Sequence, residues 1–173
     1  KEAHQGQERK YTGRPYIIHP VSVAQKVNSY WPDLPSVLAA LLHDTVEDTH
    51  YTFQDLLGNK MGLGGTVVEY VWWLTDDKRE PSNRKTRKTM QAWRLRAAPV
   101  QVKIVKLADL IDNGGGEDGI IVNDPDFAKT YMREATALVH GALRPYHTQL
   151  PGKPTMLDIA HENIWNEANA MIQ

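Results

Sequence analysis

Apolar and polar positions along the chain follow a helical rather than a strand period. Val21, Val23, Ala24 and Val27 recur at helical spacing and predict a helix that opens near Pro20 and ends before Trp31-Pro32. The run Val37-Leu38-Ala39-Ala40-Leu41-Leu42 is apolar throughout, so its helix is expected to be buried and to continue to Asp48. Pro35 suits the first turn of that helix, where a missing N–H has no intrahelical partner to lose. Thr52 is placed to cap a short helix reaching Leu57, and the glycine-rich residues 58–65 read as loop. Val67, Val68, Val71, Trp72 and Leu74 mark another helix, followed by a polar connection over residues 76–83. Residues 84–97 and 99–112 fit two more, the second carrying the stripe Val102, Val105, Ala108, Leu110 and Ile111. Gly114-Gly115-Gly116 ends that pattern, and the stretch to Asn123 has no period and is expected to be loop. Asp124-Pro125 opens a helix to about Ala142, and Thr155 or Asp158 opens a last one. Residues 1–10 read as the end of a helix begun upstream, and residues 11–15 as a loop. With no internal repeat and no strand-pairing signal, the expected fold is all-α, a compact multi-helix bundle.

Length and composition narrow the function classes. The 173 residues suit one domain with a substantial core, taken to span 1–173. The chain has no cysteine, which excludes a disulfide scaffold, an iron–sulfur cluster and a thiolate zinc site and leaves His, Asp and Glu as metal ligands. No apolar run approaches the roughly 20 residues that span a bilayer, and no signal-peptide pattern opens the chain, so a soluble, cytoplasmic protein without a membrane partner is expected. Lys and Arg number 20 against 21 Asp and Glu, a net charge of −1 that argues against a general nucleic-acid binder. The balance hides an asymmetry. Acids gather around residues 44–55, whereas Lys78, Arg79, Arg84, Lys85, Arg87, Lys88, Arg94 and Arg96 form a basic stretch, either a solvated helix face or a contact for a phosphate-rich small ligand.

The densest chemistry is the hexapeptide His43-Asp44-Thr45-Val46-Glu47-Asp48, with four metal-capable or acid/base side chains. In a continuous helix His43 and Glu47 share a face, with Asp44 about 100° around the axis from His43. Carboxylates at the end of a buried helix lose hydration unless a cation or hydrogen bonds offset it. Asp109, inside the apolar stripe of its helix, needs a partner for the same reason. These features suit metal-assisted hydrolysis.

Four blocks in order, Gly6-Gln7-x-Arg9-Lys10, Pro15-Tyr16-Ile17-x-His19-Pro20, His43-Asp44-x-x-Glu47-Asp48 and Lys106-Leu107-Ala108-Asp109-x-x-x-Asn113, resemble the HD-type hydrolase domain of the RelA/SpoT family, which removes pyrophosphate from the alarmones (p)ppGpp. The resemblance covers about residues 3–140, and the size and the short connection Thr75-Asp76-Asp77-Lys78 look like the stand-alone small alarmone hydrolases. It implies His19, His43, Asp44 and Asp109 as ligands of one divalent ion. Their mixed N/O character suits Mn²⁺, with zinc or iron left open. It implies that Glu47 and Asp48 orient and deprotonate the attacking water, that Arg9, Lys10, Asn113 and Tyr131 contact the nucleotide, and that Lys78, Arg84 and Arg87 contact pyrophosphate. The implied reaction converts (p)ppGpp to GDP or GTP plus pyrophosphate. Two departures stand out: Leu110 replaces the family's Arg or Lys, and three glycines follow Asn113 where the family continues its helix. They predict a looser or shorter helix end beside the base pocket and leave guanine alarmones, adenine alarmones and NADPH open as substrates. A silent alarmone-binding module is the non-enzymatic alternative. Nothing in these residues sets an oligomeric state.

Overall fold

A computed structural model describes residues 2–58, 61–76, 83–145 and 154–173 of the chain. Local signals place the helices. Asp33 caps α2 (Leu34–Leu42), its carboxylate accepting from the Ser36 amide at 3.1 Å, with proline in the first turn. Thr52 caps α4 (Phe53–Leu57) in a reciprocal box with Asp55, and Thr155 does the same with Asp158 for α10 (Met156–Met171). Asn83 and Asp124 cap α6 (Arg84–Arg96) and α9 (Pro125–Ala137) by accepting from the Thr86 and Phe127 amides. The other principal helices are α1 (Ile18–Tyr30), α5 (Gly65–Leu74) and α7 (Val100–Gly114).

α7 is the axis of the molecule. It packs against α1, α2, α5, α9 and α10, and is buried on nearly every side by Val102, Ile104, Val105, Leu107, Ala108 and Leu110. Val23 and Val27 of α1, Ala39 and Ala40 of α2, Val71 of α5 and Ile164 of α10 complete one continuous core around it. Leu110 is 6 % exposed, which accounts for an apolar side chain there. No helix among the described residues is long and apolar enough to cross a membrane.

The all-α expectation holds, with local corrections. Residues 3–6 form turns rather than a helix end, and an isolated antiparallel bridge joins Glu8 to Pro15. Gly6 and Gly13 adopt positive φ of 79° and 67°, a region open to glycine, and this lets the segment fold back as a hairpin. The helix expected to run on to Asp48 stops at Leu42, and α3 (Thr45–Asp48) resumes after a break at His43-Asp44. The stretch expected to be loop contains one helical turn, α8 (Ile120–Asn123), held by the Asn123 side chain on the carbonyls of Glu117 and Gly119. Its β-branched residues carry no helical signal. α9 continues as a π-helical turn, Leu138–Ala142, to the end expected for that helix.

Candidate metal centre and nucleotide pocket

Three elements deliver the site. α1 carries His19, the α2–α3 break carries His43 and Asp44, and α7 carries Asp109. The break has a chemical consequence. In a straight helix adjacent residues point about 100° apart, but Asp44 sits at φ −95°, ψ −4°, and His43 Nε2 lies 3.2 Å from Asp44 Oδ2. His19 Nε2 lies 3.3 Å from Asp109 Oδ1 and 3.5 Å from Asp44 Oδ2, and His43 Nε2 is 3.5 Å from Asp109 Oδ1. His19, His43 and Asp109 together offer ligand atoms within 4.8 Å of one another.

The tautomers are fixed from behind. His43 Nδ1 is 2.7 Å from the Ala40 carbonyl, and His19 Nδ1 is 2.6 Å from Asp112 Oδ2. Both partners only accept, so both Nδ1 atoms carry a proton, and in the neutral imidazoles it is Nε2 that is left with a lone pair to bind a cation. Those Nε2 atoms are buried and without a hydrogen-bond partner. Two orphaned imidazole nitrogens converging on two carboxylates fit a divalent cation of the mixed N/O type.

The electrostatics agree. Burial pushes the His43 imidazole down, but Asp44 and Asp109 outweigh it and hold it well above its ordinary value; His19 is raised by Asp109 and Asp112 against the same desolvation. Burial raises the Asp44 carboxyl, and His43 with His19 more than reverses this; burial likewise raises Asp109, and Lys106 together with His19 and His43 more than reverses it, so both end below the usual range. A pocket that attracts protons onto imidazoles also attracts a metal cation.

Around these four residues lies a second set of contacts. Tyr16 donates its hydroxyl to Asp44, Lys106 Nζ donates to Asp109 Oδ2 at 2.7 Å, and Asn113 Nδ2 donates to Asp109 Oδ1 at 2.6 Å. Arg9, only 9 % exposed, reaches Asn113 Oδ1 at 3.2 Å and Asp112 Oδ2 at 3.5 Å. Tyr16, Lys106 and Asp112 were given no site role by sequence. Lys106 and Asn113 did carry a signal, since i−3 and i+4 from Asp109 are the neighbours that share its helix face.

The pair expected to handle water, Glu47 and Asp48, lies on α3, directly after His43 and Asp44 in the chain. Glu47 Oε2 accepts from the Asp76 amide at 2.8 Å, and its charge reaches Lys106; the Asp48 carbonyl accepts from Gln7 Nε2 at 2.9 Å. Other expected contacts are more dispersed. Lys10 is exposed and sits 4.7 Å above the Tyr11 ring and 5.9 Å from the Phe127 ring, while Arg84 approaches Phe127 from 5.1 Å and is bidentate to Glu134. Tyr131 is buried, its hydroxyl donating to the Leu110 carbonyl at 2.7 Å. Arg87 lies on the α5–α6 face, along a cavity of about 830 Å³ with Trp72 and Arg94. Lys78 lies outside the described residues.

Comparison with known proteins places this geometry in context. Residues 1–113 match the family model described as HD domain. A zebrafish (Danio rerio) guanosine-3′,5′-bis(diphosphate) 3′-pyrophosphohydrolase is 40 % identical over 118 residues, 65 % of this chain and 61 % of that protein. The bifunctional (p)ppGpp synthase/hydrolase SpoT of Escherichia coli is 36 % identical over 120 residues, 16 % of its length. The chain thus spans less than two thirds of these relatives. Among solved structures, that of a metazoan ortholog of SpoT that hydrolyses ppGpp superposes with a TM-score of 0.66 at 26 % identity, covering 96 % of this chain and 89 % of that one. A Listeria monocytogenes protein superposes at 0.70 with 21 % identity, covering 94 % of this chain and 96 % of that one, a likeness of fold alone.

Proposed function

The chain belongs to the HD-domain family, and on that premise we propose that it hydrolyses the 3′-pyrophosphate ester of guanosine alarmones, converting (p)ppGpp to GDP or GTP plus pyrophosphate. The observation that carries this reading is the pair of orphaned Nε2 atoms of His19 and His43, aimed with Asp44 and Asp109 at one point beside the buried Arg9. Relatives that match the same segment bear the name of that activity.

His19, His43, Asp44 and Asp109 would hold one divalent ion, for which Mn²⁺ suits the ligand set. Bound there, such an ion supplies Lewis acidity toward water and phosphate oxygens. The chain's own residues do the rest. Lys106 holds Asp109 charged, and Tyr16 orients Asp44. Glu47 and Asp48, one helical turn past the ligands, orient a water toward the 3′-linked phosphorus and take its proton. As the new P–O bond forms, the bond to the ribose 3′ oxygen breaks, and that oxygen leaves with a proton. Arg9 meets the nucleotide with a planar guanidinium held by Asp112 and Asn113, and Lys10 and Arg84 flank the approach over Phe127. The substrate is a small nucleotide, with neither nucleic acid nor membrane as partner, in a cytoplasmic setting.

The test is product analysis by chromatography after offering ppGpp, ppApp and NADPH with Mn²⁺. Pyrophosphate and GDP from ppGpp, abolished by chelation, is the expected result. Orthophosphate as the product, or turnover that survives complete chelation, overturns the reading.

A further inference from the structure

Asp112 occupies a position between Asp109 and Asn113 to which the sequence pattern gives no role, yet its carboxylate meets three groups. Oδ2 lies 2.6 Å from His19 Nδ1 and 3.5 Å from Arg9 Nη2, and Ser22 of α1 also hydrogen-bonds the side chain. The His19 side chain is fully enclosed, so its Nδ1–H has no water to turn to. The contacts close a circuit. From His19 it passes to Asp112, to Arg9, to Asn113 at 3.2 Å, to Asp109 at 2.6 Å, and back to His19 Nε2 at 3.3 Å. His19 and Asp109 of the candidate metal centre and Arg9 and Asn113, the expected nucleotide contacts, thus share one network with Asp112 between them.

Resting on the metal-dependent reading above, we propose that Asp112 is a positioning residue that fixes the tautomer and ring orientation of His19 and so sets the affinity of the metal site. Without an acceptor at Nδ1, the imidazole is free to carry its proton on Nε2, where a donor faces Asp44 and Asp109 in place of a lone pair. Groups that orient a ligating histidine from behind typically account for 10–100-fold in metal affinity. Asp112 lies three residues from Asp109 on the same helix, so a single rigid element presents one ligand directly and aligns another.

The experiment measures Mn²⁺ alone, by competition with a chelator, on the whole chain and on Asp112→Asn and Asp112→Leu. Asn keeps an acceptor for His19 but loses the charge, whereas Leu loses both, so the expected order is about tenfold weaker for Asn and about 100-fold for Leu. Melting without metal is recorded in parallel. A role that is only structural lowers the metal-free melting temperature and leaves Mn²⁺ affinity within twofold of wild type, and that result overturns the proposal. Wild type that takes up no Mn²⁺ overturns the metal reading itself, and this inference with it. Asp112→Asn, isosteric with Asp, keeps the test usable if the leucine variant does not fold.

Discussion

At the residue scale, the proposed mechanism divides the site into groups that would hold a cation and groups that would handle water. The imidazole Nε2 atoms of His19 and His43 lie 3.2–3.5 Å from carboxylate oxygens of Asp44 and Asp109, whereas Glu47 Oε2 accepts from the Asp76 amide at 2.8 Å. Glu47→Gln and Asp48→Asn are therefore expected to lower kcat for ppGpp about 10²–10⁴-fold, the usual contribution of a positioned acid or base. Mn²⁺ content by elemental analysis should stay at the wild-type level in both, and loss of the metal together with activity would move these residues into the ligand set. The four residues of the cluster were legible because each is a His or Asp inside a short contiguous block. Tyr16, Lys106 and Asp112 were not, because their roles arise only where α1, the α2–α3 break and α7 meet. Lys10 and Arg84 show the reverse limit: their charge was legible, but the Phe127 ring that both approach brings together three distant segments.

At the element scale, the sequence period located most helices and missed what bends them. An unbroken apolar run gave no hint that α2 stops at Leu42, yet that stop brings His43 and Asp44 to one point. The three glycines after Asn113 likewise predict a looser or shorter helix end beside the base pocket, and packing gives them another meaning. α7 runs one residue past Asn113, and a Cβ on Gly114 would stand 2.5 Å from Met171 Sδ and 3.1 Å from Tyr131 Cε1, so the bare backbone admits the end of α10. Gly116 takes φ 71°, and Gly119 closes the turn so tightly that a Cβ there would meet the carbonyl oxygens of Gly114 and Gly115. Those oxygens are backbone and cannot swing aside. Gly119→Ala is thus expected to destabilise the protein by about 1–3 kcal/mol, the usual effect of overpacking, read as a lower urea midpoint. Gly141→Ala is the control, because a Cβ there meets nothing within 4 Å and its φ is not positive. It should be neutral or stabilising by up to about 1 kcal/mol. Equal midpoints for the two variants would remove the argument from close backbone approach.

At the scale of the whole molecule, α10 shows what a linear reading leaves out. Its Thr155 cap is visible in sequence, but its packing against α7 and α1 is not, and it lies beyond the 113 residues that match the HD domain. The first and last long helices are tied by Glu167, whose carboxylate accepts from Lys26 Nζ at 2.6 Å and from the Tyr30 hydroxyl at 2.5 Å. Partial burial raises this carboxyl, but the Lys26 and Tyr30 hydrogen bonds outweigh it, so its folded pKa is depressed. Desolvation and the Glu167 hydrogen bond push Tyr30 up to about 12. The two signs set a window. A depressed carboxylate contributes stability that is present above its unfolded pKa, about 4.3, and is lost as pH falls through the folded value. A raised phenol contributes stability that is complete below about pH 10 and is lost as pH rises toward 12. Since Lys26 is 25 % and Glu167 37 % exposed at the side chain, solvent screening limits the pair to about 0.2–1 kcal/mol. Wild type should therefore melt above Glu167→Gln by a margin that is flat from about pH 6 to pH 9 and shrinks on both sides of that range. A margin that persists unchanged at about pH 3 would mean that Glu167 acts through packing, and that the charge on it plays no part in holding α10 to α1.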